Sequence, residues 1–488
     1  MIRHLLVCLL AALVTSKASD AANATESKRA SSVRSVQGPN AAPPLDAASI
    51  ATAEALRDAA LAGSGAFAIV ESLTTEVGPR MAGGDGDARA VEWAKKRFAT
   101  LGFDRVILQP VTFPVWQRRS ESARVFAPFA QPLHVTALGG SVGSAGELSA
   151  EVIEFADLAA LRAAPAGSLT GKIAYVAFRM QRFRDGAGYG PAVAARSEGA
   201  SDAARAGAVA LLIRSIGTDS HRFPHTGNMR YAEGVEHIPA AALSNPDADQ
   251  LSRLLALGKP VRVGLNLDVG IAENYTSFNV IGEITGSHFP DKFVLIGGHL
   301  DSWDLGTGAI DDGAGVAITM EAGARIAALS TRPRRSIRVV AFANEEQGLF
   351  GAKQYAQANR GADHVIGAES DFGAGRIYAL RAKVGEGRWP VIEQIGAVLA
   401  PLGITFERDG GGPGPDIGPL IAQGMPWAQL AQDGSDYFDY HHTANDTLDK
   451  IDPKALDQQV AAYAAFAWLA ADIKGDFGRL PPPVVAIK

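Results

Sequence analysis

Downstream of residue 290 the chain places His299, Asp311, the adjacent pair Glu345 and Glu346, Asp371 and His442 at or just past the ends of apolar runs or in polar loops. Imidazole nitrogens combined with carboxylate oxygens suit zinc or a similar divalent cation. The only cysteine, Cys8, lies near the start of the chain, so any zinc ligands must be His, Asp or Glu. A pair of metals about 3.5–4 Å apart needs a bridging carboxylate and further ligands on each side. Glu345 and Glu346 make sense in that setting. Successive residues at a strand end point in different directions, so one can bind metal while its neighbour faces the bound water. Without a cation, two neighbouring buried carboxylates would repel and shift in pKa at real cost. Taken singly, Asp-Asp-Gly is usually a turn, Glu-Glu a solvated face, and His299 or His441-His442 polar loop residues. Their joint occurrence, in order and at strand ends, makes a metal centre the better reading.

The elements that must position these residues follow from the same stretch. The apolar run 293–296 leads through Gly297-Gly298 to His299, Leu300, Asp301 and Ser302. A second run, 337–343, ends in Asn344-Glu345-Glu346-Gln347-Gly348. Between them, Gly308-Ala309-Ile310-Asp311-Asp312-Gly313 opens an apolar helical segment ending near Leu329. Two buried-strand patterns joined by a helix predict a βαβ unit with parallel strands. Ligands in such sheets gather at the carboxyl ends of strands. A further strand pattern, 365–371, also ends in an acid, Asp371. A Gly/Pro-rich loop, 410–415, precedes Asp416, the polar loop 436–447 carries both His441 and His442, and an apolar helix is expected at 453–473.

The remaining chain is read more coarsely. With 488 residues, 47% of them hydrophobic, a large core and more than one domain are expected. A net charge of −6 gives no electrostatic case for nucleic acid as a partner. Residues 1–18 read as a signal peptide, too short to span a bilayer, and no later stretch predicts a membrane span. Extracytoplasmic placement, secreted or periplasmic, follows from that reading, with no thiol or disulfide in the mature chain. Residues 19–46, rich in Ala, Ser, Asn and Pro, read as a flexible leader. Helical patterns follow at 47–62 and around Val91, Ala94, Phe98 and Leu101, separated by the turn-forming Val77-Gly78-Pro79-Arg80, and 103–115 alternates like a strand. From Leu133 the texture changes to short β-like runs, 172–178, 208–213 and 261–267, around an Ala-rich helix at 197–206. A new strand is expected from Phe278.

Two resemblances add to this. Gly171-Lys172-Ile173-Ala174-Tyr175-Val176 followed by Ala204-Arg205-Ala206-Gly207-Ala208 resembles a protease-associated insert domain. The motifs GGHLDSWD, GAIDDGAG, NEEQG, ESD and YHHTANDT resemble the M28 family of dizinc peptidases over about residues 64–473. That resemblance implies an aminopeptidase-like α/β fold, a mixed, largely parallel sheet flanked by helices. The catalytic domain would be 47–132 and 275–488, interrupted by a β-rich insert at 133–274. It implies two zinc ions per chain, His299 and Asp371 binding one, Glu346 and His442 the other, with Asp311 bridging. Glu345 would be the general base, Asp301 would orient His299, and Asp312 would support the site from behind the ligands. Several relatives have a tyrosine where this chain has His441, and an imidazole there can donate the same hydrogen bond to an oxyanion.

The activity so implied is metal-assisted hydrolysis of short peptides, particularly dipeptides with free termini. The resemblance allows a homodimer. An aminopeptidase acting on longer peptides would share every catalytic residue. A glutaminyl-cyclase-like acyltransferase normally works with one zinc, and a non-catalytic receptor-like relative would have lost ligands, so the complete ligand set argues against both. The insert has no cluster of histidines and acids, since His221, His225 and His237 are scattered. It is therefore expected to shape access without supplying a ligand.

Overall fold

The computed structural model describes residues 45–481. The signal segment 1–18 and the leader through residue 44 lie outside the described residues. No helix among the described residues is long and apolar enough to cross a membrane.

The strands in chain order are β1 (Arg105–Ala127), β2 (Gln131–Leu133), β3 (Val135–Ala137), β4 (Leu148–Phe155), β5 (Lys172–Val176), β6 (Ala210–Arg214) and β7 (Ala240–Leu243). Then come β8 (Arg262–Ile284), β9 (Phe289–His299), β10 (Arg335–Phe342), β11 (Asp363–Glu369), β12 (Ile377–Lys383), β13 (Thr405–Glu407) and β14 (Trp427–Gln432). They share one sheet in the order β13-β12-β14-β11-β9-β10-β8-β4-β5-β6-β7-β3, with β1 paired to β8 and β2 to β1. β10 and β11 flank β9 and both run parallel to it, as the βαβ reading requires. β8 runs antiparallel to β10, β4 and β1, which makes the sheet mixed.

Alternation along the central strands explains why they are apolar throughout. Val294 and Ile296 of β9 join one core cluster while Leu295 joins another, and in β10 Ile337 and Val339 separate from Val340 and Phe342 in the same way. Side chains on a strand alternate between faces, so a sheet covered on both faces must be hydrophobic at every position. One face is covered by helices Ala314–Ala327 and Pro453–Asp472, and helix Ala47–Ala62 packs over the latter, which is buried along nearly its whole length. A helix buried all round needs no polar stripe, which is how it tolerates its Ala-rich, apolar sequence. Asp452 caps it by accepting from Lys454 N at 2.9 Å, and Pro453 sits in the first turn, where a missing N–H costs nothing. The other face carries helix Phe350–Ala358 and Leu420.

The structure departs from the sequence reading in three places. The strand expected at 103–115 continues to Ala127, and its partner β8 runs unbroken from Arg262 to Ile284, so the start expected at Phe278 falls inside a strand. Asn274 and Tyr275, at the expected end of the insert, pair with Pro114 and Phe113 across the ladder. The helix expected at 197–206 begins at Tyr189, and Pro191 is tolerated in its first turn, where no helical hydrogen bond is needed.

Candidate metal centre

Parallel pairing brings three strand ends to one place. His299 closes β9 opposite Phe342 of β10, so the chain leaving β10 reaches Glu345 and Glu346 beside it. β11 ends at Glu369, and Asp371 follows. Asp311 and Asp312 come from the turn Ala309–Gly313, which enters the helix Ala314–Ala327. The fit leaves no room for side chains behind it: a Cβ on Gly298 would stand 2.1 Å from Asp312 Oδ2, and one on Gly315 1.8 Å from Ser370 O. Those glycines let the backbone close in on the carboxylates.

Asp311 stands at the centre. Its Oδ1 is 3.1 Å from His299 Nε2, and its Oδ2 is 3.2 Å from His442 Nε2. His299 Nε2 is also 3.6 Å from Asp371 Oδ1, and His442 Nε2 is 3.0 Å from Glu346 Oε2. Every predicted ligand is thus in one cluster. His441 stacks on His442 with ring centroids 3.5 Å apart, and its Nε2 is 3.6 Å from Asp311 Oδ2. Glu345 lines the same cavity, about 980 Å³ in volume, together with the ligands and His441.

The supporting acids bind backbone. Asp301 accepts from Glu345 N at 3.0 Å and from Glu346 N at 3.4 Å, holding the acidic pair in place. His299 Nδ1 meets the Asp301 carbonyl at 2.9 Å and its carboxylate at 3.7 Å, so the histidine is oriented mainly through the backbone oxygen. Asp312 accepts from His299 N and Gly315 N, at 3.0 and 3.1 Å.

Several contributors receive no role from the sequence reading. Asp446 accepts from Ile310 N and Asp311 N. Trp303 Nε1 donates to Glu346 Oε2 at 2.7 Å. Fully buried Arg80 donates to the carbonyls of Leu300, Thr307 and Gly308, tying down the segment between β9 and Asp311. The turn-forming Val77-Gly78-Pro79-Arg80 read above is therefore a brace. Tyr437 lines the cavity with its ring 4.9 Å from that of His441. Asp446 and Tyr437 belong to the polar loop already singled out, but only tertiary placement gives them a task.

Residues 133–274 supply no predicted ligand, yet they hold one. His442 has a left-handed backbone, φ +62°, which a residue bearing a side chain adopts only when its surroundings enforce it. Thr226 N donates to the His442 carbonyl at 3.0 Å, and His442 Nδ1 meets the Thr226 carbonyl at 3.2 Å. His225 Nδ1 contacts the His441 carbonyl at 2.7 Å, and its Nε2 pairs with buried Asp219 at 2.7 Å. Sequence reasoning left His225 among scattered loop histidines because its partner lies far along the chain.

Electrostatics favours a cation. Asp311 Oδ2 and Glu346 Oε1 are buried and accept no hydrogen bond. Burial pushes the Glu345 carboxyl well up, and the carboxylates of Glu346, Asp371 and Asp301 push it further, against His299. His442, against the cost of burial, is lifted to about 10 by Glu346 and Asp311. Burial holds the His441 ring well below its usual range, helped by the His442 charge, so this ring is neutral. A cluster that draws protons this strongly is built for compensating positive charge. Donors from His299, Asp311 and Glu346, from Asp311, His441 and His442, and from His299, Asp312 and Asp371 each lie within 4.8 Å of one another. Carboxylate oxygen with imidazole nitrogen is a donor set zinc accepts, so the residues present fit the ion.

Fold and site together define an aminopeptidase-like α/β metalloenzyme. Comparison with known proteins takes this further. The profile of Peptidase family M28 matches residues 279–467. Carboxypeptidase Q from Bos taurus is 36% identical over 406 residues, covering 82% of this chain and 84% of that protein. Carboxypeptidase Q from Homo sapiens is 35% identical with the same coverage. The crystal structure of a peptidase M28 precursor from Shewanella amazonensis SB2B is similar with a TM-score of 0.87 and 52% identity, covering 89% of this chain and 99% of that one. An aminopeptidase from Aneurinibacillus sp. strain AM-1 shares the fold, with a TM-score of 0.59 at 22% identity, covering 86% of this chain and 95% of that one. The chain belongs to peptidase family M28 and is a zinc metallopeptidase.

Proposed function

We propose that the chain is a secreted or periplasmic dizinc exopeptidase that hydrolyses dipeptides or short peptides, of carboxypeptidase type. The observation that carries the two-metal reading is Asp311, whose two oxygens face different histidines. His299 and Asp371 would hold one zinc, Glu346 and His442 the other, with Asp311 shared. His442 serves as ligand in preference to His441 because it alone of the two contacts both Asp311 and Glu346. Bound zinc supplies Lewis acidity for a carbonyl and acidity for a water.

The chain's own groups do the rest. Glu345 lines the cavity beside the ligands and takes the proton of the attacking water, then delivers it to the leaving amine. His441 is neutral and donates a hydrogen bond to the oxyanion that forms at the carbonyl. The names of the carboxypeptidase Q relatives support the carboxyl-end reading. Residues 133–274 shape access to the cavity, which they line with Tyr189, Arg196, Asn228 and Tyr231 among others.

Metal analysis of the purified protein, combined with hydrolysis of dipeptides whose termini are free or blocked, tests this. Two zinc ions per chain and turnover of free dipeptides are expected. One zinc per chain, or turnover confined to longer peptides, would overturn the proposal.

A further inference from the structure

The cavity above the metal cluster is walled on one side by helix Tyr189–Arg205, and its arginines differ in how their charges are met. Arg205 pairs with Asp202 at 2.7 Å, and Arg162 beside it pairs with Asp202 at 2.8 Å and with Glu198. Arg196 has no such partner. It is only 7% exposed, yet no carboxylate of the described residues pairs with it. Its Nη1 reaches the Thr226 carbonyl at 3.4 Å, its Nη2 reaches the Tyr189 hydroxyl, and its Nε has no partner. A guanidinium carries more N–H donors than these contacts use. A buried charge without a counter-charge is costly, and a fold keeps one where something supplies the missing anion.

The surroundings hold this group in place. A Cβ on Gly227 would stand 2.2 Å from Nη1 and 2.5 Å from the guanidinium carbon, so the glycine forms a flat floor for the group. Tyr189 and Arg196 share one face of the helix, and the Tyr189 ring meets the His441 ring edge-on with centroids 5.7 Å apart. Arg196 is thus one aromatic ring removed from His441. Arg196 and the Asp311 cluster line the same cavity.

We propose that Arg196 anchors the free α-carboxylate at the C-terminus of a short peptide whose scissile carbonyl lies at the Asp311 cluster. The inference rests on the exopeptidase reading above and names the terminus that is recognised. A planar guanidinium matches a carboxylate in charge and geometry, which a lysine does not reproduce. Arg196 also touches Thr226, whose carbonyl faces His442, so loss of activity alone would not separate anchoring from bracing.

The experiment compares dipeptides that differ only in a free carboxylate or an amide at the C-terminus, using zinc-loaded wild type, Arg196→Gln, Arg196→Lys and Arg230→Gln at matched metal content. Wild type should prefer the free carboxylate, and Arg196→Gln should reduce that preference in kcat/KM by about 10²–10³-fold, chiefly through KM. Arg196→Lys should recover only part of it. If both substrates decline in parallel in Arg196→Gln, the residue is a brace and the proposal fails. It also fails if the preference collapses in Arg230→Gln instead, or if it follows an acidic side chain in a C-terminally amidated peptide. A wild type that turns over free and amidated dipeptides equally overturns the anchor and the carboxypeptidase type, and leaves the dizinc exopeptidase reading standing. A wild type that cleaves no dipeptide removes both.

Discussion

The two walls of the cavity solve opposite problems. At the carboxyl ends of β9, β10 and β11, acids are crowded beyond what the local arginine and histidines can balance, and buried carboxylate oxygens of Asp311, Glu346 and Asp416 go without donors. Across the cavity, the wall built by 189–232 holds a buried guanidinium without an acid. One side is short of positive charge and the other short of negative. On the proposed reading a zinc pair and a peptide carboxylate would satisfy both at once, so that ligand and substrate complete a balance the polypeptide leaves open. The walls are also joined mechanically, because Thr226 and His225 of the second wall clamp the backbone that presents His442 on the first.

The sharpest test of the acidic wall separates its adjacent glutamates. Glu345→Gln should keep its metal and lose turnover by about 10²–10⁴-fold, the range for a general base. Glu346→Gln should lose metal from one site. Equal metal loss in the two variants would refute the division. Next in size is His441→Ala, which should retain metal and turn over about 10²–10³ times more slowly, as loss of an oxyanion donor implies. Near-full activity would end that role, and metal loss would show that the wrong histidine was chosen as ligand.

The same comparison explains what could be read from the sequence. His299, Glu345, Glu346 and Asp371 are legible because each closes or follows a strand, and parallel neighbours bring such ends together by rule, while Asp311 is legible from the Asp-Asp-Gly that opens the intervening helix. Helix Ala47–Ala62 was legible from its helical pattern and the closing helix from its unbroken Ala-rich, apolar run. Arg80, His225, Thr226 and Arg196 were not. Each acts through a carbonyl or a ring far along the chain, and neither type nor spacing announces such a contact. Gly227 is the extreme case, since its use is the Cβ it lacks.

The clamp between the walls gives a smaller effect. His225→Ala should weaken zinc affinity by about 10–100-fold, the usual consequence of removing a group that orients a ligand. Zinc titration against a competing chelator measures it, and unchanged affinity would mean that the walls are energetically independent.

The smallest effect on catalysis is expected at the opposite end of β11, where His364 is buried and hydrogen-bonded to the Tyr355 hydroxyl. Burial, with the Arg338 charge adding to it, lowers His364 to about 4. Since the folded value lies below the ordinary 6.5, its contribution is present above pH 6.5 and is lost as pH falls towards 4. The shift corresponds to roughly 3 kcal/mol at most. Urea unfolding across that window should show wild type losing more stability than His364→Gln, with turnover near neutral pH little changed. Parallel pH profiles would refute it.

β1 and β8 bear on how a substrate gets in. Hinged enzymes change shape where a loop or an element end absorbs the rotation. Here the chain passes between the two walls inside a ladder that pairs Arg105 with Glu283 at one end and Ala127 with Arg262 at the other. Swinging one wall away would break rungs worth about 1 kcal/mol each. A mouth set by such a ladder would act as a fixed aperture, and on the exopeptidase reading peptide length would be limited by what fits into it.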